Sequence, residues 1–194
     1  MIIPVLIHGA GATATSFNYI KRELNFKKTI DLEYDSSDGV YHNLLLMNEE
    51  LSKFNSNFFI IAHSLGGIYA AHLTQTQPII GAVTISTPYG GSYTADYMKL
   101  VFPASRLLRD ISTKSSPIVT ARNIELPNHW NQIVTTIGNI PGIPSRHDCV
   151  VTYESMTANP NMKFIELPYN HYEIMVASET VSVIHKTALD ILQN

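Results

Sequence analysis

Apolar and polar residues follow two patterns along the chain. Short uncharged apolar runs, such as IIPVLI at residues 2–7 and FFIIA at residues 58–62, are typical of buried strands in a parallel sheet. Between such runs, apolar residues recur every three or four positions, which predicts helices with one buried face. Six strands follow from this pattern, at residues 2–7, 29–34, 58–62, 79–86, 131–138 and 162–167.

The predicted helices lie between or after these strands. They cover residues 13–24, 40–54, 66–76 and 173–192. Residues 150–156 are expected to form a short helix or a turn, and residues 139–147 a proline-containing loop. Each parallel connection needs a crossover, so the alternation of strands and helices favours helices on both faces of one sheet. We therefore expect an α/β fold, a three-layer α/β/α sandwich with a mostly parallel sheet of about six strands.

The alternation of predicted strands and helices stops between residues 88 and 129. This stretch contains several prolines and a Gly-Gly pair, and short helical pieces are plausible only at residues 95–108. It is too short and too broken to carry its own core, so we interpret it as a cap-like excursion within a single domain spanning residues 1–194. Its apolar residues could pack into the core, line a substrate pocket or form a mobile lid. We favour packing or a pocket wall.

Composition narrows the classes of protein that fit. The chain has 194 residues, of which 45% are hydrophobic and 15% charged, as expected of a globular domain with a substantial core. The net charge is -3 and no cluster of Lys and Arg predicts a nucleic-acid partner. Cys149 is the only cysteine, so an internal disulfide is excluded. No His, Cys, Asp and Glu cluster has metal-ligand spacing, and we expect neither a metal nor a cofactor.

The N-terminal residues lack the basic segment of a signal peptide. No apolar stretch of the sequence approaches the roughly 18 residues of a membrane span. We therefore expect a cytoplasmic protein without an integral membrane segment.

The sequence AHSLGG at residues 62–67 is the clearest chemical signal. A buried strand, a tight turn with a central serine and a helix form the context of a nucleophile elbow, which lifts the serine hydroxyl above the end of the sheet. The turn needs small residues two positions before and after the serine, and Ala62 and Gly66 occupy them. Ala62 departs mildly from the usual G-x-S-x-G. Ser64 is the candidate nucleophile, and a purely structural Ser-Gly turn is the alternative.

A serine nucleophile needs a histidine base, and the base needs an acid that holds its tautomer. In this architecture the order along the chain is serine, acid, histidine. Of the eight histidines, only His171 lies on a loop just after the last predicted strand. Asp148 lies shortly after the fifth strand and is the candidate acid. Its alternative role is to cap a helix that begins near Val150.

Backbone N–H groups are the expected stabilisers of the charge on a tetrahedral intermediate. We assign these to Leu65, directly after the candidate nucleophile, and to Ala10, in the HGAG loop after the first strand. That loop lacks the G-K-[ST] ending of a phosphate-binding loop. His8 is interpreted mainly as packing behind it. Four side chains are candidate substrate contacts: His8, Tyr89, Tyr97 and Phe102.

Together, these motifs resemble the α/β-hydrolase superfamily. The residues that carry the resemblance are HGAG, AHSLGG, STPYGGS after the fourth strand, the D-x-V-V loop and the late loop histidine. The resemblance is closest to small bacterial lipases and esterases, whose elbow often reads A-H-S-x-G-G. It covers residues 2–86 and resumes at 131, leaving the excursion unmatched. It implies a Ser64–Asp148–His171 triad, oxyanion donors at Ala10 and Leu65, and hydrolysis of small-molecule carboxylic esters without a cofactor.

Two alternatives to a serine esterase or lipase remain. The same machinery could act on another acyl group, as a thioesterase, amidase or acyltransferase does. A non-catalytic binding domain could also keep this fold, but all five parts of the site are present in the sequence, and this makes a binding domain the weaker hypothesis.

Overall fold

A computed structural model describes residues 2–138 and 146–193. Within them, six parallel strands form one sheet in the order β2-β1-β3-β4-β5-β6. The strands are β1 (Ile2–Ile7), β2 (Ile30–Leu32), β3 (Asn57–His63), β4 (Ile79–Ile85), β5 (His129–Thr135) and β6 (Lys163–Leu167). The predicted parallel sheet is therefore confirmed, although β2 is shorter than expected and β5 begins and ends earlier.

Helices flank the sheet on both faces. They are α1 (Asn18–Leu24), α2 (Val40–Leu51), α3 (Leu65–Leu73), α4 (Tyr93–Val101), α5 (Arg106–Asp110), α6 (Ser116–Asn123), α7 (Tyr153–Met156) and α8 (Ser178–Leu192). Residues of α1 and α8 pack into the core on one face, and residues of α2, α3 and α6 pack on the other. The three-layer sandwich is confirmed. Short 3-10 helices precede α1, α2 and α8, at Ala14–Phe17, Ser36–Asp38 and Glu173–Val176.

The central strand β3 is buried on both sides. Phe58, Ile60 and Ala62 face the layer of α2, α3 and α6, while Phe59 and Ile61 face the layer of α1 and α8. A strand covered on both faces has no solvent side, which is why it reads as an unbroken apolar run. The carboxyl end of β3 consequently opens at the middle of the sheet, between β1 and β4.

The stretch between β4 and β5 is fully described and contains three helices. The short helical pieces predicted at residues 95–108 are the two helices α4 and α5, separated by a turn. The helix α6 was not predicted. It begins after the N-cap Ser115, with Pro117 in its first turn. Ile118 and Ala121 are fully buried in the core that includes α3, so α6 is part of the helix layer.

Two further expectations fall in the C-terminal part. Residues 150–156, predicted as a short helix or a turn, contain a helix that begins at Tyr153, after the N-cap Thr152. The predicted loop at 139–147 lies mostly outside the described residues. Across residues 2–138 and 146–193, none of the helices has the length and apolar character needed to cross a membrane.

Candidate active site

Ser64 occupies the sharp turn between β3 and α3. Its backbone has φ 52° and ψ -122°, a region that residues with a side chain rarely adopt. Its N–H donates to the carbonyl oxygen of Ile85 at 2.8 Å, which ties the turn to the end of β4. A Cβ at Gly66 would lie 2.2 Å from the Ile7 carbonyl oxygen, so only glycine fits there. Ala62 is fully buried in β3, where its methyl group is accommodated.

The loops after β5 and β6 bring Asp148 and His171 together. The His171 Nδ1 lies 2.7 Å from Asp148 Oδ2, and both side chains are buried. The backbone N–H of His171 also donates to the backbone carbonyl oxygen of Asp148 at 3.1 Å. Burial alone would raise the pKa of Asp148, but its hydrogen bond and charge interaction with His171, with further donors, lower that pKa overall. The ionised carboxylate keeps the proton of His171 on Nδ1, which leaves Nε2 able to accept one.

The second carboxylate oxygen of Asp148 accepts hydrogen bonds from the loop that contains Asp148. Asp148 Oδ1 accepts hydrogen bonds from the N–H groups of Val150 and Val151, at 3.0 and 2.7 Å. No helix begins at Val150, since α7 begins at Tyr153 with Thr152 as its N-cap. The carboxylate therefore organises a turn with one oxygen and faces His171 with the other, rather than capping a helix.

Two hydroxyl groups that were not predicted from the sequence form a hydrogen-bonded chain that ends at Asp148. Thr135, the last residue of β5, donates its Oγ1 hydrogen to Asp148 Oδ2. Ser86, directly after β4, has its Oγ 2.8 Å from Thr135 Oγ1. Since Thr135 uses its hydrogen toward Asp148, Ser86 donates to Thr135. Polar residues at the carboxyl ends of parallel strands are a signal of functional sites, and this signal would have indicated both Thr135 and Ser86.

His63, the residue before Ser64, is a third missed contributor. Its Nε2 lies 2.9 Å from the carbonyl oxygen of His171. Because a carbonyl oxygen can only accept, Nε2 carries the proton. Burial, and then the neighbouring His171, lower the pKa of His63 to about 3, which keeps the ring neutral. The His63 ring thus joins the elbow to the loop that carries His171.

The candidate oxyanion donors lie on either side of Ser64. Among the hydrogen bonds of the described residues, none is donated by the backbone N–H of Ala10 or Leu65, so both are available to a ligand. The loop of Ala10 approaches the elbow closely, because a Cβ at Gly9 would lie 3.1 Å from the Cβ of Ser64.

Two cavities border Ser64 in the described part of the chain, and both are also lined by Ala10 and Val150. The first, which we call the Leu65-side cavity, has a volume of about 140 Å³ and is also lined by Leu65, Tyr93 and Ile111. The second, which we call the His171-side cavity, has a volume of about 340 Å³ and is also lined by His63, His171, Tyr172 and Met175. Ser64 and His171 share the second cavity, although the described hydrogen bonds do not include one between them.

A scan of protein-family models and a search of curated proteins both find no match, whereas solved structures match over most of the chain. Phospholipase PlaB from Legionella pneumophila matches 99% of this chain and 59% of its own, with a TM-score of 0.74 and 13% identity. The lipase BlEst2 from Bacillus licheniformis matches 95% of this chain and 90% of its own, with a TM-score of 0.67 and 15% identity. A thioesterase domain from the curacin biosynthetic pathway matches 94% and 90%, with a TM-score of 0.60 and 11% identity.

The chain has the α/β-hydrolase fold. The resemblance seen in the sequence is thereby confirmed at the level of the fold. The chain spans 59% of the length of PlaB. The three named structures include a phospholipase, a lipase and a thioesterase, so the fold itself does not choose among acyl substrates.

Four side chains expected to contact substrate lie away from the two cavities of this α/β-hydrolase fold. Tyr89 is fully buried, and its hydroxyl donates to Thr84 and accepts from the indole N–H of Trp130. Tyr97 and Phe102 are 74% and 54% exposed.

His8, the fourth of these side chains, is buried at the start of the loop that contains Ala10. Its ring stacks on Tyr34 with centroids 4.2 Å apart, and its Nε2 lies 3.1 Å from Glu33 Oε2. Tyr93, at the start of α4, was not among the candidate contacts but lines the Leu65-side cavity.

Neither of the two cavities is lined by an Asp, Glu, Lys or Arg residue. Within the described residues, no group of three or more His, Cys, Asp and Glu is placed to hold a metal ion. The side chains that the structure brings together here carry a hydroxyl (Ser64), an imidazole (His171) and a carboxylate (Asp148).

Proposed function

We propose that this protein is a serine hydrolase that cleaves carboxylic esters through an acyl-enzyme intermediate. The observation that carries the proposal is the buried pair of His171 Nδ1 and Asp148 Oδ2, 2.7 Å apart, with His171 lining the same cavity as Ser64. Ser64 has the strained backbone expected of a nucleophile elbow. An uncharged cavity wall suits a neutral ester.

In the first step, Ser64 Oγ attacks the ester carbonyl carbon while His171 Nε2 takes the hydroxyl proton. The imidazolium that forms is stabilised by the ionised Asp148, which also keeps the ring in the required orientation. The carbonyl oxygen becomes an oxyanion, and the N–H groups of Ala10 and Leu65 donate hydrogen bonds to it. Fixed backbone donors stabilise this charge without reorganising during the reaction.

The tetrahedral intermediate then collapses. The bond to the alcohol oxygen breaks, and that oxygen takes the proton from His171 Nε2 as it leaves. A water molecule enters, gives one proton to His171 and attacks the acyl-enzyme carbonyl carbon. Collapse of the second intermediate releases the carboxylic acid and returns the proton to Ser64.

His63 and Thr135 have positioning roles in this scheme. His63 fixes the backbone carbonyl of His171, and Thr135 fixes the carboxylate that holds the His171 ring. A base displaced by about 1 Å can lose about a hundredfold in rate, so these contacts are expected to affect the chemical step.

The test is hydrolysis of p-nitrophenyl butyrate followed from the first turnover. The wild type should release a burst of nitrophenol equal to the enzyme present if deacylation is the slower step, and a steady rate in any case. Ser64→Ala should lower kcat/KM at least about 1000-fold. Ser182→Ala, on the exposed face of α8, is the matched control and should retain wild-type activity. Undiminished activity of Ser64→Ala would rule out the proposal.

A further inference from the structure

The two cavities beside Ser64 differ in size and in their walls. The His171-side cavity has a volume of about 340 Å³, and the Leu65-side cavity has a volume of about 140 Å³. If the protein is the ester hydrolase proposed above, the two parts of an ester must be distributed between them.

The proton path decides this distribution. The alcohol oxygen leaves with the proton of His171 Nε2, so the alcohol must point into the cavity that His171 lines. The carbonyl oxygen must point at the N–H groups of Ala10 and Leu65. The remaining substituent of the carbonyl carbon, the acyl chain, then extends into the Leu65-side cavity, toward Tyr93 and Ile111.

The part of the Leu65-side cavity wall that contains Ser92 and Ile111 is held by hydrogen bonds. The Ser92 N–H donates to the Ile111 carbonyl oxygen at 2.8 Å. Asp96, on α4, accepts from the N–H and the hydroxyl of Thr113, at 3.3 and 2.7 Å. These bonds join the start of α4 to the turn after α5, so this wall resists opening to admit a longer chain.

The base of the same wall is fixed to α7. The Gly90 N–H donates to the Ser155 carbonyl oxygen at 2.8 Å, and the Ser155 hydroxyl donates to the Gly91 carbonyl oxygen at 2.6 Å. Ser155 is buried. The cavity is therefore bounded by a segment held at both α5 and α7.

Volume and charge together define the group that fits. An apolar cavity of about 150 Å³ holds a benzene-sized group of about six carbons. The Leu65-side cavity has about this volume, and no Asp, Glu, Lys or Arg lines it. An acyl group that carries a charge would lose its hydration there without gaining a partner, which is strongly unfavourable.

We propose that the protein is selective for esters of short, uncharged acyl groups of up to about six carbons, bound in the Leu65-side cavity and limited in length by the wall that contains Ile111. The larger His171-side cavity accepts the neutral alcohol. This inference rests on the proposed function and adds its substrate class.

The experiment measures kcat/KM for p-nitrophenyl esters of increasing acyl length, from acetate to decanoate, and for the monosuccinate. The rate should peak at the butyrate or hexanoate and be lower by about tenfold or more for the decanoate, because the additional methylenes of the longer chain have no room in the cavity. The monosuccinate should be a poor substrate.

Substitutions of Ile111 can enlarge or reduce the Leu65-side cavity. Ile111→Ala removes three carbons and should shift the preferred chain by about two to three carbons toward longer esters. Ile111→Phe should shift it toward acetate, and this variant keeps the test decisive if the alanine variant folds poorly. Met175→Ala changes only the His171-side cavity, so it should leave the preferred acyl length in place.

Reaction of each protein with a fluorophosphonate counts the active sites and separates the possible failures. If the folded wild type is not labelled, the proposed function is wrong and the substrate class with it. If labelling is normal but the wild type prefers octanoate or longer, or the Ile111 variants keep the wild-type preference, the short-acyl assignment is wrong while the hydrolase assignment stands.

Discussion

Ser64 holds its hydroxyl in place at the cost of backbone strain. With φ 52° and ψ -122°, its conformation is one that glycine adopts readily and residues with a Cβ do not. The strain is maintained because the N–H of Ser64 is bonded to β4 and α3 begins at the next residue. Stability should therefore oppose function at this one position.

This opposition can be measured with two substitutions. Ser64→Gly relieves the strain, whereas Ser64→Ala keeps it, so the glycine variant should be more stable by about 1 kcal/mol after the entropy of glycine in the unfolded chain is included. Urea unfolding of both variants at neutral pH gives the difference. An alanine variant that equals or exceeds the glycine variant in stability would contradict the strain argument.

His63 should make the stability of the protein depend on pH. Its pKa is about 3 in the folded protein, against 6.5 for the free side chain, so the unfolded chain takes up a proton in this interval that the folded chain does not. Stability consequently falls as pH falls below about 6.5, by roughly 1 kcal/mol per pH unit from this residue. Urea midpoints between about pH 7 and pH 4.5 measure the slope, and His63→Gln should make it shallower.

Asp148 titrates outside most of that interval. Its pKa is below the ordinary 3.8, so the stability that its ionised form contributes is present above that value and is lost only as pH falls through the folded pKa. An unchanged slope in His63→Gln would show that another group is responsible for the fall.

Thr135 should affect rate through Asp148. Thr135→Val removes the hydroxyl that donates to Asp148 Oδ2, and Thr135→Ser retains it. We expect kcat to drop by about tenfold in the valine variant, since a hydrogen bond to a charged group contributes about 1.5–3 kcal/mol and part of this holds the His171 ring. KM should be unchanged and the serine variant close to wild type. Steady-state kinetics with equal losses in both variants would contradict this role.

The residues predicted from the sequence are defined by local backbone geometry, whereas those that were missed depend on contacts between distant parts of the chain. Ser64, Gly66 and Ala62 are recognisable because the geometry of one turn selects them. His63 and Thr135 gain their roles only where loops from distant parts of the chain meet. The position of Thr135 at the carboxyl end of a strand was a signal in the sequence. Its contact with Asp148, and that of His63 with the His171 carbonyl, could not be predicted without the fold.

At the scale of elements, the excursion between β4 and β5 has two different parts. The helix α6 buries Ile118 and Ala121 completely, whereas α4 exposes Tyr97 and Leu100 by 74% and 76%. The sequence predicted short helical pieces at residues 95–108, where α4 and α5 lie, but it did not predict α6, which is only eight residues long. The regular helices and strands were predictable because each buries a face of repeating apolar residues.

Truncation of one residue in each part tests this division. Ile118→Ala should lower the free energy of unfolding by about 2–4 kcal/mol, the usual cost of a buried aliphatic truncation. Leu100→Ala should change it by less than about 0.5 kcal/mol. Urea unfolding monitored by circular dichroism and by Trp130 fluorescence gives both values. A negligible effect of Ile118→Ala would mean that α6 is not part of the core.

At the scale of the whole molecule, the parallel sheet explains why distant loops form one site. The carboxyl ends of β1, β3, β4, β5 and β6 lie at one edge, and the loops that follow them carry Ala10, Ser64, Ser86, Asp148 and His171. The order of these elements was predictable from the alternation of strands and helices. The division of the site into two unequal cavities was not, because it depends on how α4 and the turn after α5 close over that edge.

The most direct test of the central claim is reaction with a fluorophosphonate, followed by intact-mass and peptide analysis. The structure predicts one adduct per chain, located on Ser64, no adduct in Ser64→Ala, and labelling slowed at least about a hundredfold in Asp148→Asn and His171→Ala. An adduct on another residue, or undiminished labelling of Ser64→Ala, would contradict the assignment of Ser64 as the nucleophile.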